Sequence, residues 1–219
     1  SFLKTLFNKA TEWGWNGDNP AMGIKKFREK QRDRFLQPQE LPKFFKALQQ
    51  ENSQSIKDYI WLSLLTGARK SNVLAMRWEE INFTRKIWRI TETKNYEPVN
   101  IPLVNEAVEI LKRRKAQIGS EWVFPSPTSE SGHLMEPKRV WQRVLEQAGI
   151  KNLRIHDIRR TLGSYQAITG SSLLIIGKTL GHKTQQATQI YSRLNNDPVK
   201  VSMEKAIKVI LNKVKKNEK

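Results

Sequence analysis

The sequence predicts a mainly α-helical domain that carries one small antiparallel β-hairpin or sheet, which places it in the α+β class. Most segments between residues 38 and 194 repeat apolar residues at i, i+3, i+4 and i+7, the spacing of one helix face. One segment instead alternates apolar and polar residues over 87–90 and 99–101, around a polar turn, as strand pairs do. Hydrophobic residues make up 38% of the 219 residues, which provides for a buried core and excludes a disordered chain.

The chain begins with a short predicted helix and a basic linker. Residues 2–13 place apolar side chains at helical spacing, and a stretch rich in Gly, Asn and Pro then ends the helix. Six Lys and Arg residues follow between Lys25 and Arg34, with few apolar positions among them. This run predicts an exposed linker that could lie along a phosphate backbone. Because the first residue is not Met, we expect the chain to be part of a longer protein.

From residue 38 onward the periodicity predicts a succession of helices. Gly149 and Gly170 each close one of them, which is typical of helix C-termini. Thr184 is a favourable N-cap for the last helix of the series. The predicted helices cover residues 38–50, 55–68, 71–81, 105–117, 137–149, 156–170, 172–181 and 185–194.

Two sets of apolar residues near the C-terminus have the spacing of a helix face, and the second lies on a lysine-rich segment. The first set is Ala187, Ile190, Tyr191 and Leu194, and the second is Met203, Ile207, Ile210, Leu211 and Val214. We therefore divide the chain into a fragment with its linker (residues 1–34), a helical domain (35–195) and a basic C-terminal helix (196–219).

The charge balance is strongly basic. The sequence has 39 Lys and Arg residues against 21 Asp and Glu residues, which gives a net charge of +18 at pH 7. Such an excess favours a polyanionic partner, with nucleic acid as the first candidate and an anionic membrane surface as the alternative. No apolar run approaches the ~18 residues that predict a membrane span, and the N-terminus lacks the pattern of a secretory signal.

The sequence contains no Cys and three His residues, His133, His156 and His182. The absence of Cys excludes disulfides, thiolate nucleophiles and Cys-based zinc sites, and it favours a reducing cytoplasm. The His residues are too few and too scattered in the sequence to predict a metal cluster. We therefore predict neither a metal ion nor an organic cofactor.

A set of cationic and aromatic residues stands out because no carboxylate pair accompanies it. Two of its members, His156 and Arg159, are three positions apart and so share one face of a helix. Each member alone has a structural alternative, such as satisfying helix carbonyls, starting a helix, occupying a turn or filling the core. Only the combination favours a functional site. The set consists of Arg69, Lys94, His156, Arg159, His182 and Tyr191.

Seven short motifs follow one another over about residues 35–195: TGAR, LAMRW, TK, IPL, HDIRRT, LGH and T.IY. In this order and spacing they resemble the catalytic domain of the tyrosine recombinases, the phage-integrase family. The most specific part is HDIRRT together with LGH nine residues ahead of a tyrosine. The residues before Leu36 are similar to the last helix of the family's core-binding domain and its linker. Asn72 departs from the pattern, since many relatives carry there an acid that could support Arg69.

The resemblance implies the integrase catalytic-domain fold and a site-specific recombinase that cuts DNA by tyrosine attack on a phosphodiester. The cut leaves a 3′-phosphotyrosyl link and a free 5′-hydroxyl, and another 5′-hydroxyl reverses the step on a different duplex. Because the tyrosyl ester retains the energy of the original bond, neither ATP nor a metal is required. The implied partners are double-stranded DNA attachment sites, further copies of this chain in a tetramer on DNA, and accessory DNA-bending or excision factors.

The resemblance also assigns phosphate binding to three residues by their position in the motifs. Arg69 and Arg159 would each present paired N–H donors to the negative charge that develops on the non-bridging oxygens. A preorganised donor of this kind is commonly worth ~2.7–4 kcal/mol. His182 would donate a further hydrogen bond to the phosphate.

The remaining three residues of the set would transfer protons and attack phosphorus. Tyr191 would be the nucleophile, and we expect its cationic surroundings to favour the phenolate. His156 would accept the phenol proton, and Lys94, in the hairpin turn, would protonate the leaving 5′-oxygen. Residues 196–219 would dock on a neighbouring protomer, as the C-terminal segment commonly does in this family.

Three alternatives stay open at this point. A type IB topoisomerase resembles the family in its catalytic set but relaxes supercoiled DNA alone. A DNA-binding module without activity would have no need for the complete set. A membrane-surface protein could use the lysine-rich last helix. The LGH motif and the chain length favour the recombinase over the topoisomerase.

Overall fold

The computed structural model describes residues 2–25, 27, 32–91, 98–194, 200, 202–204 and 206–208. The chain divides into two compact units, Ser1–Arg32 and Asp33–Lys219. The smaller unit contains helix α1 (Phe2–Glu12) and the irregular segment after it. The ring of Trp15 lies 5.3 Å from the ring of Phe7, so aromatic packing holds this segment against the helix.

The larger unit is mainly helical and contains one small sheet. Helices α2 (Leu41–Gln50), α3 (Gln54–Thr66) and α4 (Lys70–Leu74) come first. Strands β1 (Ile81–Asn82), β2 (Ile87–Ile90) and β3 (Val99–Pro102) form the sheet. The next helices are α5 (Asn105–Lys115), α6 (Lys138–Ala148), α7 (Ile155–Ile168), α8 (Leu173–Leu180) and α9 (Gln185–Thr188). Residues Trp78–Glu80 and Gln189–Leu194 are 3₁₀-helical.

The sheet is antiparallel in the order β1-β2-β3. Trp88 on the central strand pairs with Ile81 on one side and with Ile101 on the other, and its side chain is fully buried. The indole N–H of Trp88 donates to a carboxylate oxygen of Glu80 at 3.0 Å, which satisfies the one polar group that this ring buries. The predicted α+β class is thus confirmed, and the sheet has one strand more than the predicted hairpin.

Helix α3 packs against α5 and α7 and is largely buried. Its residues Tyr59, Ile60 and Leu62 are almost inaccessible to solvent, and burial of an aliphatic side chain such as Ile60 or Leu62 stabilises the fold by ~1.5–3 kcal/mol. The same helix buries one carboxylate, Asp58, which accepts a hydrogen bond from Arg114 of α5 at 3.0 Å. This ion pair therefore ties the two helices together inside the core.

Two predicted helices end earlier than expected. The helix predicted over 71–81 stops at Leu74, because Ile81 pairs with β2 instead. The helix predicted over 185–194 becomes 3₁₀-helical after Thr188, so the buried positions are Thr188 and Tyr191, three residues apart, whereas Ala187 is exposed. The predicted helix face is therefore wrong at Ala187.

The expected N-cap of α9 is confirmed, since the Thr184 hydroxyl accepts a hydrogen bond from the third residue of the helix. Towards the C-terminus, residues 202–204 and 206–208 are helical, and Met203 and Ile207 are exposed there. The other members of that predicted apolar set, Ile210, Leu211 and Val214, lie outside the described residues. None of the helices described is long and apolar enough to cross a lipid bilayer.

Candidate active site

Two helix C-termini bring the loops of the candidate site together. Helix α3 ends at Gly67 with φ +59°, and helix α8 ends at Gly181 with φ +58°, a conformation that glycine adopts without steric cost. Arg69 follows the first glycine by two residues, and His182 follows the second directly. The glycine caps therefore turn the chain sharply at the points where two of the predicted site residues emerge.

Arg159 of α7 connects these two helix ends. Its Nη1 donates to the carbonyl of Gly67 at 2.6 Å, and its Nη2 donates to the carbonyl of Leu180. The side chain is buried, and burial together with the neighbouring charge of Arg69 lowers its pKa to about 10. The guanidinium therefore stays protonated at pH 7, and the two carbonyl bonds fix its orientation.

Arg69 reaches the second helix end as well. Its Nη2 donates to the carbonyl of Gly181 at 3.3 Å, although the two residues are 112 positions apart in the sequence. This contact matches the structural alternative, in which Arg69 satisfies helix carbonyls. A guanidinium has five N–H donors, however, so one such bond leaves capacity for a phosphate. The structural and the functional interpretations of Arg69 are therefore compatible.

His182 lies near Tyr191 and within reach of the charges of both arginines. Its Nδ1 is 2.9 Å from the hydroxyl oxygen of Thr188. Its ring is nearly parallel to that of Tyr191, at 16°, with the ring centroids 6.4 Å apart. Burial and the positive charges of Arg159 and Arg69 lower the pKa of His182 to about 4. The ring is therefore neutral at pH 7 and can offer one N–H donor.

His156 stands in the first turn of α7, one turn before Arg159. It is an exposed residue, yet desolvation by its surroundings and the charges of Arg159 and Arg160 lower its pKa below the usual value. The alternative that His156 starts the helix is wrong, because Asp157 has that role and accepts a hydrogen bond from the backbone N–H of Arg154 at 2.8 Å. A neutral His156 is able to accept a proton.

Tyr191 is buried in a small apolar cluster with Ala167, Ile176 and Leu180. Burial raises the pKa of its phenol, and this effect outweighs the lowering by Arg159 and Arg160. The expectation that cationic surroundings favour the phenolate is therefore wrong, because burial has the larger effect. The phenol is protonated at neutral pH.

Lys94 lies outside the described residues, so the structure does not give its position. The strands that flank it end at Ile90 and resume at Val99. Both of these residues line a small cavity that Arg69 and Arg159 also line. The end of β2 and the start of β3 therefore lie beside the two arginines.

Sequence reasoning missed two residues of this site. Gly163 lies inside α7, and a Cβ atom there would come within 2.8 Å of both the Tyr191 ring and the Leu180 side chain. A glycine within a helical pattern is the signal that points to such close packing. Thr188, the second residue, belongs to the motif that ends in Tyr191, but the motif does not show its contact with His182, which depends on the folded geometry.

The five site residues that the structure describes therefore surround one region. Charge effects couple the site as well, since Arg69, Arg159 and His156 each lower the pKa of His182. Among the described ranges, no three His, Asp or Glu side chains lie close enough together to hold a metal ion. The arrangement provides fixed cationic donors, neutral imidazoles and a phenol, which suits binding of a phosphate and nucleophilic attack on it.

Comparison with known proteins finds relatives that match most of this chain. The integrase of Salmonella phage P22 is 27% identical over 210 residues, which cover 89% of this chain and 52% of that protein. The prophage integrase IntF of Escherichia coli K12 is 30% identical over 166 residues, which cover 74% of this chain and 35% of that protein. Tyrosine recombinase XerA of Pyrococcus furiosus is 29% identical over 160 residues, which cover 69% and 55%. The chain thus spans about half or less of these relatives.

Solved structures share the fold. The Tn1549 transposon integrase in complex with transposon right end DNA superposes with a TM-score of 0.71 at 17% identity, covering 93% of this chain and 76% of that one. The XerH site-specific recombinase bound to its palindromic difH substrate gives a TM-score of 0.65 at 15% identity, covering 83% and 56%.

The family model described as the phage integrase family matches residues 34–197. The match includes all five described site residues, from Arg69 to Tyr191. The resemblance of the motifs to tyrosine recombinase catalytic domains is thereby confirmed. The chain belongs to the phage integrase family.

Proposed function

We propose that this protein is a site-specific DNA recombinase that cleaves and rejoins DNA strands through a 3′-phosphotyrosyl intermediate. The observation that carries the proposal is the convergence of Arg69, Arg159, His156, His182 and Tyr191, which come from distant parts of the sequence. A purely structural tyrosine has no need of two buried or half-buried arginines and two imidazoles beside it. Family membership and the motifs that carry it support the same reaction.

In the proposed reaction the Tyr191 oxygen attacks the scissile phosphorus, and the bond between phosphorus and the 5′-oxygen breaks. His156 takes the phenol proton, and Lys94 gives a proton to the departing 5′-oxygen. Arg69 and Arg159 hold the non-bridging oxygens, and His182 donates a hydrogen bond to one of them. The raised pKa of the phenol supports the need for a base, because the tyrosine does not ionise by itself at neutral pH.

The proposed partners follow from the same reaction. Double-stranded DNA attachment sites are the substrate, and the net charge of +18 supports a polyanionic partner. The XerH and Tn1549 structures named above contain DNA, which supports DNA as the partner here. We also infer a tetramer of this chain on DNA, accessory DNA-bending or excision factors, and a location on DNA in the cytoplasm.

The proposal divides the chain into the end of a core-binding domain with its linker (1–34), a catalytic domain (35–195) and a docking helix (196–219). The exposed Met203 and Ile207 support the last assignment, since apolar side chains on a basic helix suit docking on a protein surface. No observation favours DNA relaxation or binding without cleavage over the recombinase reaction.

Covalent capture tests the proposal without knowledge of the target sequence. The protein is incubated with a pool of nicked duplexes of random sequence, in which cleavage releases a short strand that diffuses away. Protein–DNA adducts that resist denaturant are isolated, and the linked residue is mapped by peptide mass spectrometry. We expect wild-type protein to form adducts through Tyr191 and Tyr191→Phe to form none.

The matched control is Tyr165→Phe. The Tyr165 hydroxyl is buried and has no hydrogen-bond partner among the described residues, so its removal deletes the same atom outside the site. This variant should form adducts at the wild-type level. Adducts that persist in Tyr191→Phe would contradict the assignment of the nucleophile, and no adduct in wild type would contradict the proposed function.

A further inference from the structure

Thr188 makes a contact that distinguishes it from the other threonines of the helices. The side chains of Thr66, Thr161 and Thr179 each donate to a backbone carbonyl four residues earlier, at 2.6, 2.9 and 3.0 Å. The Thr188 side chain instead lies 2.9 Å from Nδ1 of His182. Within the described part of the chain, this nitrogen is its one hydrogen-bond partner. Within the described residues, the Thr188 hydroxyl therefore forms its hydrogen bond with the imidazole.

Helix α8 is shaped to allow this contact. A Cβ atom at Gly177 would come within 3.1 Å of the Thr188 hydroxyl oxygen, so a side chain there would crowd the hydroxyl. The carbonyl of the same glycine accepts a hydrogen bond from the backbone N–H of His182 at 2.9 Å. Gly177 thus holds the backbone of His182 and leaves room for the group that contacts its ring.

The direction of the hydrogen bond follows from burial. Thr188 is only 3% exposed, and a buried O–H without an acceptor is costly. If Nδ1 carried the proton, the threonine oxygen would accept it and the O–H would lack an acceptor among the described residues. If Thr188 donates to Nδ1, its buried O–H has an acceptor. The ring then carries its single proton on Nε2, because a neutral imidazole has one N–H.

We propose that Thr188 is a positioning residue that fixes His182 as the Nε2–H tautomer, so that the ring offers an N–H donor to the scissile phosphate. The inference rests on the proposed function, which supplies the phosphate. Thr188 itself does not touch the substrate. A ring with its proton on Nδ1 would instead present a lone pair to a negatively charged oxygen, which repels it.

The tautomer is measured on the free protein by two-bond ¹H–¹⁵N correlation spectra of the histidine rings. The sequence has only three His residues, so His133→Gln and His156→Gln variants assign the signals of His182. We expect Nδ1 to show the shift of an unprotonated nitrogen and Nε2 that of a protonated one. A protonated Nδ1 with an unprotonated Nε2 would overturn the proposal. This measurement needs neither DNA nor activity.

Three variants test the role in the reaction. Thr188→Val keeps the shape but removes the hydroxyl, and we expect about tenfold slower formation of the covalent adduct, the scale of one lost hydrogen bond of ~1.4 kcal/mol. In the spectra, the His182 signals should move towards those of a mixture of tautomers. Thr188→Ser restores a hydroxyl and should return the rate to within about threefold of wild type and the Nε2–H signature with it.

Thr169→Val is the matched control, because the Thr169 hydroxyl is exposed and donates to carbonyls at the end of α7, away from the site. It should leave the rate and the His182 signals unchanged. A wild-type rate and an unchanged tautomer in Thr188→Val would overturn the proposal, and so would a failure of Thr188→Ser to recover either one. A failure of the proposed function would give a different result, because the wild-type protein would then form no adduct, whichever tautomer its spectra show.

Discussion

At Tyr191 two effects on the phenol oppose each other. Burial in the cluster of α7, α8 and the 3₁₀ segment raises its pKa, while the charges of Arg159 and Arg160 lower it, and burial has the larger effect. In the proposed reaction the nucleophile, Tyr191, is therefore a neutral phenol at pH 7. Attack on phosphorus then requires a base, and His156 is the proposed one because its own lowered pKa keeps it neutral at pH 7.

The pH dependence of cleavage should report this base. With DNA below saturation, the rate reflects the ionisation of the free enzyme. His156 loses its function when it is protonated, so the rate should fall as the pH drops through its pKa. Because that pKa is lowered, the midpoint of the fall should lie below about 6.5, the ordinary value for histidine. The measurement is the rate of adduct formation between pH 4.5 and 8.

His156→Gln should remove the fall of the rate at low pH, which is the acid limb of the profile. It should also slow cleavage at pH 7 by about 10²–10⁴-fold, the usual contribution of a general base. His133→Gln is the control, since the His133 ring packs on Trp122, 4.9 Å away, outside the site. It should retain the wild-type profile. A His156→Gln protein with an unchanged acid limb would show that another group accepts the phenol proton.

Among the secondary-structure elements, buried polar contacts decide how helices are joined, and the pair of arginines at the end of α5 shows this. Arg113 and Arg114 both pair with Asp58 of α3. Arg114 is buried and also donates to the carbonyl of Val123 at 2.8 Å, whereas the Arg113 side chain is about half exposed. Removal of the buried partner leaves buried acceptors without a donor, and removal of the exposed one leaves Arg114 in place.

We therefore expect Arg114→Met to lower the free energy of unfolding by about 3–5 kcal/mol, the cost of breaking a buried ion pair. Arg113→Met, the matched control on the adjacent position, should cost about 0–1 kcal/mol, as exposed pairs do. Urea denaturation followed by circular dichroism measures both. Equal losses in the two variants would show that Arg114 does not hold α3 to α5.

Element boundaries also mark the limit of what the sequence predicts. Gly149 and Gly170 predict helix ends, because glycine adopts the left-handed backbone conformation found there without a steric cost. The end of α4 at Leu74 has no such marker, since it results from competition with a strand that pairs through Ile81. The change to a 3₁₀-helix before Tyr191 is likewise set by packing of distant segments. The spacing of apolar residues indicates the local preference for a helix, but it does not indicate these tertiary effects.

The candidate site also has a part that sequence patterns predict and a part that depends on tertiary packing. The residues that could be predicted as a candidate set, because their motifs have the order and spacing of the family, are Arg69, His156, Arg159, His182 and Tyr191. The direction of the Tyr191 pKa could not, since it depends on how much burial offsets the positive charges. The contact of Thr188 with His182 needs atomic distances, which no residue pattern contains.

For the whole molecule, the net charge of +18 predicts how binding to DNA responds to salt. Each phosphate that the protein neutralises releases counterions, so the logarithm of the affinity falls with the logarithm of the salt concentration by ~0.9 per phosphate. If only Arg69 and Arg159 met the backbone, the slope would be about −2. A basic surface that follows the duplex over roughly 6–10 phosphates lowers the affinity by about 10³–10⁵ between 50 and 200 mM salt.

We expect the steeper dependence, because 39 Lys and Arg residues far exceed the few that the site uses. Fluorescence anisotropy of a labelled random-sequence duplex over a KCl series gives the slope. Arg69→Gln should make it shallower by about one, since it removes one phosphate contact, and should leave most of the slope in place. A wild-type slope near −2 would mean that the positive charge outside the site does not lie along DNA. The excess of positive charge would then favour another anionic partner.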